Sequence, residues 1–272
     1  MVEVSRSAYY EWLTPRKRSK AGEKKKQVEA LIISIFSEHR RRYGVRRIIA
    51  ELKARGSKAS VYKVRKVLRN NGLKAIQPRS FVPRTTNSRH PYAISPNLLL
   101  DRIFVQNPDE VWVGDITYIP LAGGGFLYLA VWMDLFSRRI IGWQLEDHMR
   151  EELVMDALQK ALKSRVIKEG LLIHSDRGGQ YAGTKFRAII ENKKMLQSMS
   201  RADNAYDNAF MESCFSRFKT ELLEDGAFDN QEDAATEIFE FIEMYYNTKR
   251  RHSSLKYLSP MNYENNYYFY KS

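Results

Sequence analysis

The sequence predicts an α/β fold whose mixed sheet has three antiparallel strands followed by parallel strands, with helices on both faces and a small all-α domain in front. Apolar residues recur at three- and four-residue steps between residues 23 and 72, which indicates short helices. After residue 97, strand-like and helix-like segments follow in the order β-β-β-α-β-α-β-α-α. We therefore expect a basic N-terminal segment at 1–20, a helical domain at 21–76, a linker at 77–96, and the α/β domain with a C-terminal helical extension at 97–272.

The helical domain has the pattern of a helix-turn-helix. Three amphipathic helices are predicted to start near residues 23, 45 and 61, with Gly56 as C-cap of the second and Ser60 as N-cap of the third. Such a domain places its third helix in the major groove of DNA. A small helical bundle with a basic surface would show the same periodicity. The residues expected to contact DNA are Lys63, Arg65, Lys66 and Arg69 on the third helix, and Arg46 and Arg47 on the second.

Charge is distributed unevenly along the chain. Residues 1–90 hold 24 Lys and Arg against 6 Asp and Glu, whereas residues 91–272 hold 21 against 26, so the net charge of +13 comes from the front of the chain. This asymmetry indicates an anionic polymer as partner and favours nucleic acid over a membrane surface. The sequence shows no long apolar run and no signal-peptide pattern, and its single cysteine, Cys214, excludes an internal disulfide. A reducing cytoplasm fits these features.

Two stretches of the sequence stay ambiguous. Ala8–Leu13 is an aromatic patch that is either the end of a helix or a docking peptide. Residues 77–96 lack apolar periodicity and contain prolines and polar residues, which indicates a linker. Its basic residues either follow a phosphate backbone or belong to a solvated tether.

The α/β domain begins with three strands whose short connections predict an antiparallel meander. A helix then precedes a short apolar strand that we expect to be buried and parallel. The predicted strands are Val111–Pro120, Phe126–Leu135, Arg138–Glu146, Leu171–His174 and Met195–Met199; the predicted helices are Glu151–Val166, Ala182–Asn192, Asp207–Leu223 and Glu232–Tyr246.

Three acids are candidates for a metal site. Asp115 falls within an apolar strand, where a lone carboxylate is costly unless it is paired or metal-bound. Asp176 follows a buried strand at a Gly-Gly turn, which is where open α/β sheets bind ligands. Glu212 lies on a later helix, with thirty-five residues between it and Asp176. Hard carboxylate oxygens suit Mg²⁺, and two such ions can clamp both oxygens of an in-line phosphoryl displacement.

Each acid also has an ordinary structural explanation. Asp115 could be a turn acid, Asp176 an Asx-turn former and Glu212 a surface residue. Rival acids are nearby, with Asp134 ending a strand beside Asp115; the others are Asp203 and Asp207. No cluster of His and Cys residues indicates zinc, and no Walker loop indicates a nucleotide.

Two further side chains share the predicted helix face of Glu212. Lys219 lies two turns after it and is expected to hold a DNA phosphate. Asn208 lies one turn before it and is expected either to orient the carboxylate or to touch DNA.

Taken together, these motifs resemble the DDE transposases of bacterial insertion sequences, whose catalytic region is similar to retroviral integrases. Two spacings are marks of that family: the gap of thirty-five residues between Asp176 and Glu212, and the position of Lys219 seven residues after Glu212. The chain looks like the second-reading-frame product of the insertion-sequence family that uses a frameshifted pair of frames, over residues 20–265. The residues that carry the likeness are Trp112–Tyr118, His174–Tyr181, Asp207–Ala209 with Glu212 and Lys219, Tyr246-Asn247, Arg251-His252, Ser259-Pro260 and, in the helical domain, Arg42–Ile48.

The resemblance implies a ribonuclease H-like catalytic core in which Asp115, Asp176 and Glu212 hold two Mg²⁺ ions, with Mn²⁺ as a substitute. It implies cleavage by water at the 3′ ends of the element, followed by attack of the freed 3′-OH on a new phosphodiester. The implied partner is double-stranded DNA, as terminal repeats and as target, bound by a homo-oligomer at the bacterial nucleoid. Whether an upstream-frame product is a further partner stays open. The alternative functions are a catalytically inert DNA-binding regulator and a host ribonuclease H-type nuclease.

Overall fold

The computed structural model describes residues 5–13, 20–77, 91–100, 105–201, 205–223 and 226–271. It divides the chain into two compact units, Met1–Ile76 and Gln77–Ser272. No helix within the described ranges is long and apolar enough to cross a membrane. The arginines of the predicted linker and the rival acid Asp203 lie outside the described residues.

The described part of the first unit consists of helices. Ser60 caps the last of them by accepting a hydrogen bond at 3.1 Å from the backbone N–H of Lys63, as predicted. The preceding helix has Arg55 rather than Gly56 as its C-cap, and Gly56 follows in the left-handed region at φ +72°. The helices are α1 (Arg6–Leu13), which contains the ambiguous aromatic patch, α2 (Lys20–Glu38), α3 (Val45–Ala54) and α4 (Val61–Asn70).

The second unit is organised around a five-stranded sheet with the order β3-β2-β1-β4-β5. These strands are β1 (Val111–Pro120), β2 (Phe126–Asp134), β3 (Ile140–Glu146), β4 (Leu172–Ser175) and β5 (Leu196–Met199). The first three pair antiparallel, whereas β4 pairs parallel with β1 and β5 parallel with β4. The predicted meander followed by parallel strands is confirmed.

Helices cover both faces of this sheet. On one face, α5 (Glu151–Ser164), α6 (Gly179–Ala182) and α7 (Thr184–Asn192) share a core with Trp112 and Trp132. On the other face, α8 (Ala209–Leu222) and α9 (Gln231–Phe239) share a core with Val113. Because side chains alternate along a strand, Trp112 and Val113 enter different cores, and Asp115 points to the same side as Val113.

Several predicted helices differ from the structure at their ends. The segment Ala182–Asn192 is interrupted at Gly183, whose backbone is extended at ψ 155°. A Glu151 carboxylate oxygen accepts a hydrogen bond at 2.8 Å from the backbone N–H of Phe186 and so caps the first turn of α7. The helix predicted from Asp207 begins with a 3₁₀ turn at Ala205–Asn208. The predicted helix Glu232–Tyr246 consists of α9 followed by a π-helical stretch, Glu240–Tyr246, and the chain ends with α10 (Pro260–Lys271).

Candidate active site

Two of the three predicted acids come from neighbouring parallel strands: Asp115 lies within β1 and Asp176 directly follows β4. The pairing of β1 with β4 extends to Val113 opposite His174. Asp115 and Asp176 come two residues further along each chain, so they lie side by side at the end of this ladder. The charge of Asp176 raises the pKa of Asp115, which places the two carboxylates within electrostatic reach of each other.

The surroundings of Asp115 disfavour its charged form. Burial raises its pKa well above the usual range for an aspartate, and the negative charges of Asp176 and, less strongly, Glu212 raise it further. Two hydrogen bonds act in the opposite direction: the backbone N–H of Ile116 donates to Oδ1 at 2.8 Å and Asn208 Nδ2 donates to Oδ2 at 3.0 Å. A positive charge beside Asp115 would therefore be strongly favourable.

The third acid, Glu212, comes from a helix rather than from the sheet. It lies in the first turn of α8, where it is exposed, and its charge reaches Asp115. Among the described residues, the oxygens of Asp115, Asp176 and Glu212 do not all approach within 4.8 Å of one another. The three carboxylates therefore influence one another electrostatically without forming a closed three-ligand cluster.

The start of α8 is fixed by a dense set of polar contacts. The ring of His174 bonds to the Asp207 carbonyl at 3.0 Å, and the Arg201 guanidinium holds the Asp207 carboxylate at 3.0 Å. Burial lowers the pKa of His174 to about 4, so the ring is neutral at pH 7. Asn208, which follows Asp207 in the chain, is buried. Its Nδ2 donates to Asp115, whereas its Oδ1 has no hydrogen-bond partner in the described structure.

The donor set of this site fits a divalent cation. Three carboxylates supply hard oxygens, and Asp115 carries the electrostatic penalty that a cation would remove. Two buried polar atoms nearby lack partners in the described structure, Asn208 Oδ1 and the Tyr181 hydroxyl. Burial raises the pKa of Tyr181, and the charges of Asp115 and Asp176 raise it further, so its hydroxyl faces the same negative field.

The predicted DNA-contacting residues occupy different environments. Lys219 is half-buried near Asp115; burial lowers its pKa and the Asp115 charge opposes that shift. In the first unit, Lys63 turns toward α2, where its Nζ donates to the Lys25 carbonyl at 3.3 Å and lies 3.9 Å from a Glu29 oxygen. Arg47 donates to the Arg42 carbonyl at 3.2 Å and lies over the Tyr43 ring. The exposed residues of this group are Arg46, Arg65, Lys66 and Arg69.

The rival acids that the structure describes have structural partners. Asp134 is fully buried, accepts hydrogen bonds from Asp109 N and Ser137 N, and lies 2.7 Å from Ser137 Oγ. Asp207 is paired with Arg201.

The structure contains one group of potential metal ligands that was not predicted from the sequence. Potential ligand atoms of Glu146, Asp147 and His148, just after β3, lie within 4.8 Å of one another. In the sequence, the signal for this group is three consecutive residues that can bind a metal ion. They include only one histidine and no cysteine, so they do not resemble a zinc site.

Both units match known protein families. Residues 23–81 match the HTH-like domain, and residues 105–205 and 193–260 match two family models that are both described as integrase core domain. The transposase for insertion sequence element IS904 of Lactococcus lactis subsp. lactis is 39% identical over 245 residues, which cover 88% of this chain and 96% of that protein. Transposase InsF for insertion sequence IS3A of Escherichia coli K12 is 36% identical over 266 residues, which cover 97% and 92%.

Solved structures show a more distant likeness. The HTLV-2 integrase catalytic core domain in complex with magnesium is 14% identical, with a TM-score of 0.45 over 59% of this chain and 99% of that one. A chain of the simian T-cell lymphotropic virus intasome in complex with PP2A regulatory subunit B56 gamma is 17% identical, with a TM-score of 0.47 over 79% and 70%. The sequence relatives, which match nearly the whole chain, carry the family relationship.

Proposed function

This chain belongs to the transposases of bacterial insertion sequences, and we propose that Asp115, Asp176 and Glu212 are the acids with which it cuts and joins DNA. The observation that carries this proposal is the environment of Asp115, whose pKa is raised by burial and by the charges of both other acids. Carboxylates that destabilise one another in this way are typical of functional sites, because a purely structural role would favour a neutral residue.

We propose that these acids hold two Mg²⁺ ions, with Mn²⁺ as a substitute. Carboxylate oxygens are preferred Mg²⁺ ligands, and the positive charge would offset the repulsion at Asp115. When bound, such ions supply Lewis-acid stabilisation of the attacking and leaving oxygens in a phosphoryl displacement.

Neighbouring residues of the chain would orient the reactants. Asn208 keeps the Asp115 carboxylate in place through its bond to Oδ2. Lys219, whose positive charge lies near Asp115, would hold a phosphate of the DNA strand. In the proposed cleavage, a water oxygen bonds to phosphorus and the P–O3′ bond breaks, which leaves a 3′-OH at the element end. That 3′-OH then attacks a second phosphodiester, where a new P–O3′ bond forms and another 3′-oxygen leaves as a hydroxyl.

The proposed substrates are the terminal repeats of the element and a target duplex. We propose that α4 enters the major groove of the repeat, with its exposed Arg65, Lys66 and Arg69 toward DNA. The helical domain (21–76), the linker (77–96) and the catalytic core (97–272) would then divide recognition from chemistry. A homo-oligomer on DNA, located at the nucleoid, would bring two element ends together.

Substitution of the acids tests this proposal. Asp115→Asn, Asp176→Asn and Glu212→Gln should each lower strand transfer by about a thousandfold or more while leaving DNA affinity largely intact. The assay uses duplexes from the flanks of the encoding gene, with Mg²⁺ and with chelator. Matched controls are Asp156→Asn and Glu240→Gln, which change exposed acids on α5 and at the start of the π-helical stretch. Full joining by any triad variant would refute the assignment, and tight DNA binding by the wild type without Mg²⁺-dependent cutting would favour the inert regulator.

A further inference from the structure

Arg138 is a half-buried cation whose guanidinium forms no ion pair in the described structure. It lies in the turn between β2 and β3, and its side chain makes no hydrogen bond or ion pair with any residue that the structure describes. The other buried or half-buried arginines in the described part of this unit donate to carboxylates or carbonyls: Arg139 and Arg165 to Glu264, Arg177 to the Ser200 carbonyl, Arg187 to the Ala93 carbonyl, Arg250 to Glu221 and Arg251 to the Tyr257 carbonyl.

The fold carries two local penalties at this residue. Burial lowers the pKa of Arg138, because the charged guanidinium loses water without gaining an anionic contact. Its backbone has φ +61°, in the left-handed region that is unfavourable for a residue with a long side chain. Strain and an unpaired charge at the same position indicate a function that outweighs their effect on stability.

Phe210 braces the guanidinium from one side. The guanidinium carbon lies 4.3 Å from the centre of the Phe210 ring, and this ring is 40% exposed. A ring stacked on the flat face of an arginine leaves the in-plane N–H groups available. Such a planar fork of donors matches the oxygens of a phosphate. Phe210 lies in the first turn of α8, two residues before Glu212, so this donor fork lies beside the helix that carries a catalytic acid.

We propose that Arg138, braced by Phe210, binds a backbone phosphate of the DNA held by the catalytic unit. This inference rests on the proposed function, which brings a DNA strand to α8. Residues 91–272 carry more acids than bases, 26 Asp and Glu against 21 Lys and Arg, so DNA must be held there by particular cations rather than by a general positive field. Arg138 is suited to this role because its charge is not already used within the protein.

Stability and DNA affinity should respond in different ways to Arg138→Met. Removing an unpaired, desolvated charge should leave the melting temperature of the DNA-free chain unchanged or raise it. DNA affinity of the full chain for a random-sequence 30-base-pair duplex should fall about tenfold, and the slope of log K against log salt should become shallower by about 0.9. The matched control is Lys193→Met, which removes the same charge from an exposed site before β5 and should change neither quantity.

A neutral phosphate in the DNA identifies the contact directly. Single methylphosphonate substitutions are scanned along a duplex from the flanks of the encoding gene, on which specific binding fixes the register. One position should weaken wild-type binding by about the same tenfold factor and have no further effect on Arg138→Met. The proposal would be overturned if Arg138→Met kept the wild-type affinity and salt slope, or if it lowered the melting temperature without changing the affinity. Arg138 would then have only a structural role. Binding is measured without divalent cations, so a failure of the acid assignment, seen as unimpaired joining by triad variants, is a separate result.

Discussion

At the scale of single residues, the buried group of Asp134, Ser137 and Glu264 has one hydrogen too few if both acids are charged. The Ser137 hydroxyl oxygen lies 2.7 Å from an Asp134 oxygen and 2.7 Å from a Glu264 oxygen, but it carries a single hydrogen. A second hydrogen must come from one of the carboxyl groups for both contacts to be hydrogen bonds. Burial raises the pKa of Asp134 to about 6, so Asp134 supplies it under mildly acidic conditions.

This proton makes stability depend on pH in a definite direction. The pKa of Asp134 is about 6 in the folded chain, whereas the usual value of 3.8 applies to the unfolded chain. The folded chain therefore binds this proton more tightly than the unfolded chain. The stabilisation is therefore complete below pH 4 and is lost as the pH rises through 6, by about 3 kcal/mol in total. Urea unfolding between pH 4 and 7 should show the free energy of unfolding of the wild type falling by that amount relative to Asp134→Asn. A difference between the two proteins that does not vary with pH would contradict this assignment.

At the scale of elements, packing by apolar side chains explains what the sequence predicted. β1 was predicted with its observed ends, because a glycine turn follows shortly after its last residue, Pro120. The bounds of α10 could not be found in this way, since only Pro260 and Glu264 of that helix are buried. Ion pairs from Arg139 and Arg165 to Glu264 hold α10 in place. Such ion pairs leave no apolar periodicity in the sequence from which the helix could be predicted.

In the candidate site too, positions set by local sequence patterns could be predicted, whereas contacts between distant segments could not. The sequence places Asp115 on a strand, Asp176 directly after a strand and Glu212 on a helix. In the structure, burial raises the pKa of Asp115 and the charges of Asp176 and Glu212 raise it further. The bond from Asn208 to Asp115 and the unpaired state of Arg138 depend on contacts between segments distant in sequence. Local periodicity contains no information about such contacts.

The packing of α5 on the sheet depends on Gly142 in β3. A Cβ at this position would lie 2.6 Å from the Ala161 nitrogen and closer still to the Ala157 carbonyl oxygen, both backbone atoms of α5. Because a helix backbone cannot rotate aside, Gly142→Ala should lower the free energy of unfolding by about 3 kcal/mol. Gly123→Ala, in a turn with nothing within 4 Å of the added Cβ, should change it by less than about 0.5 kcal/mol. Equal effects of the two substitutions in urea unfolding would show that the helix can shift at no cost.

At the scale of the whole molecule, charge and chemistry are divided along the chain. The basic residues 1–90 contain the HTH-like domain, and the slightly acidic remainder contains the integrase core with its clustered carboxylates. A net negative core repels DNA at long range, so the front of the chain must supply most of the attraction.

This division predicts the salt dependence of DNA binding. If each of the four exposed residues predicted to contact DNA neutralises one phosphate, they contribute about −4 to the slope of log K against log salt; they are Arg46, Arg65, Lys66 and Arg69. Replacing Arg65, Lys66 and Arg69 together by Gln should make the slope shallower by about 3, measured by fluorescence anisotropy of the full chain between 50 and 200 mM salt. Lys63→Gln is the matched control on the same helix, and it should change the slope little because its ammonium group is held by the Lys25 carbonyl and faces Glu29. An unchanged slope in the triple variant, or an equally large change from Lys63→Gln, would mean that DNA does not lie along the exposed face of α4.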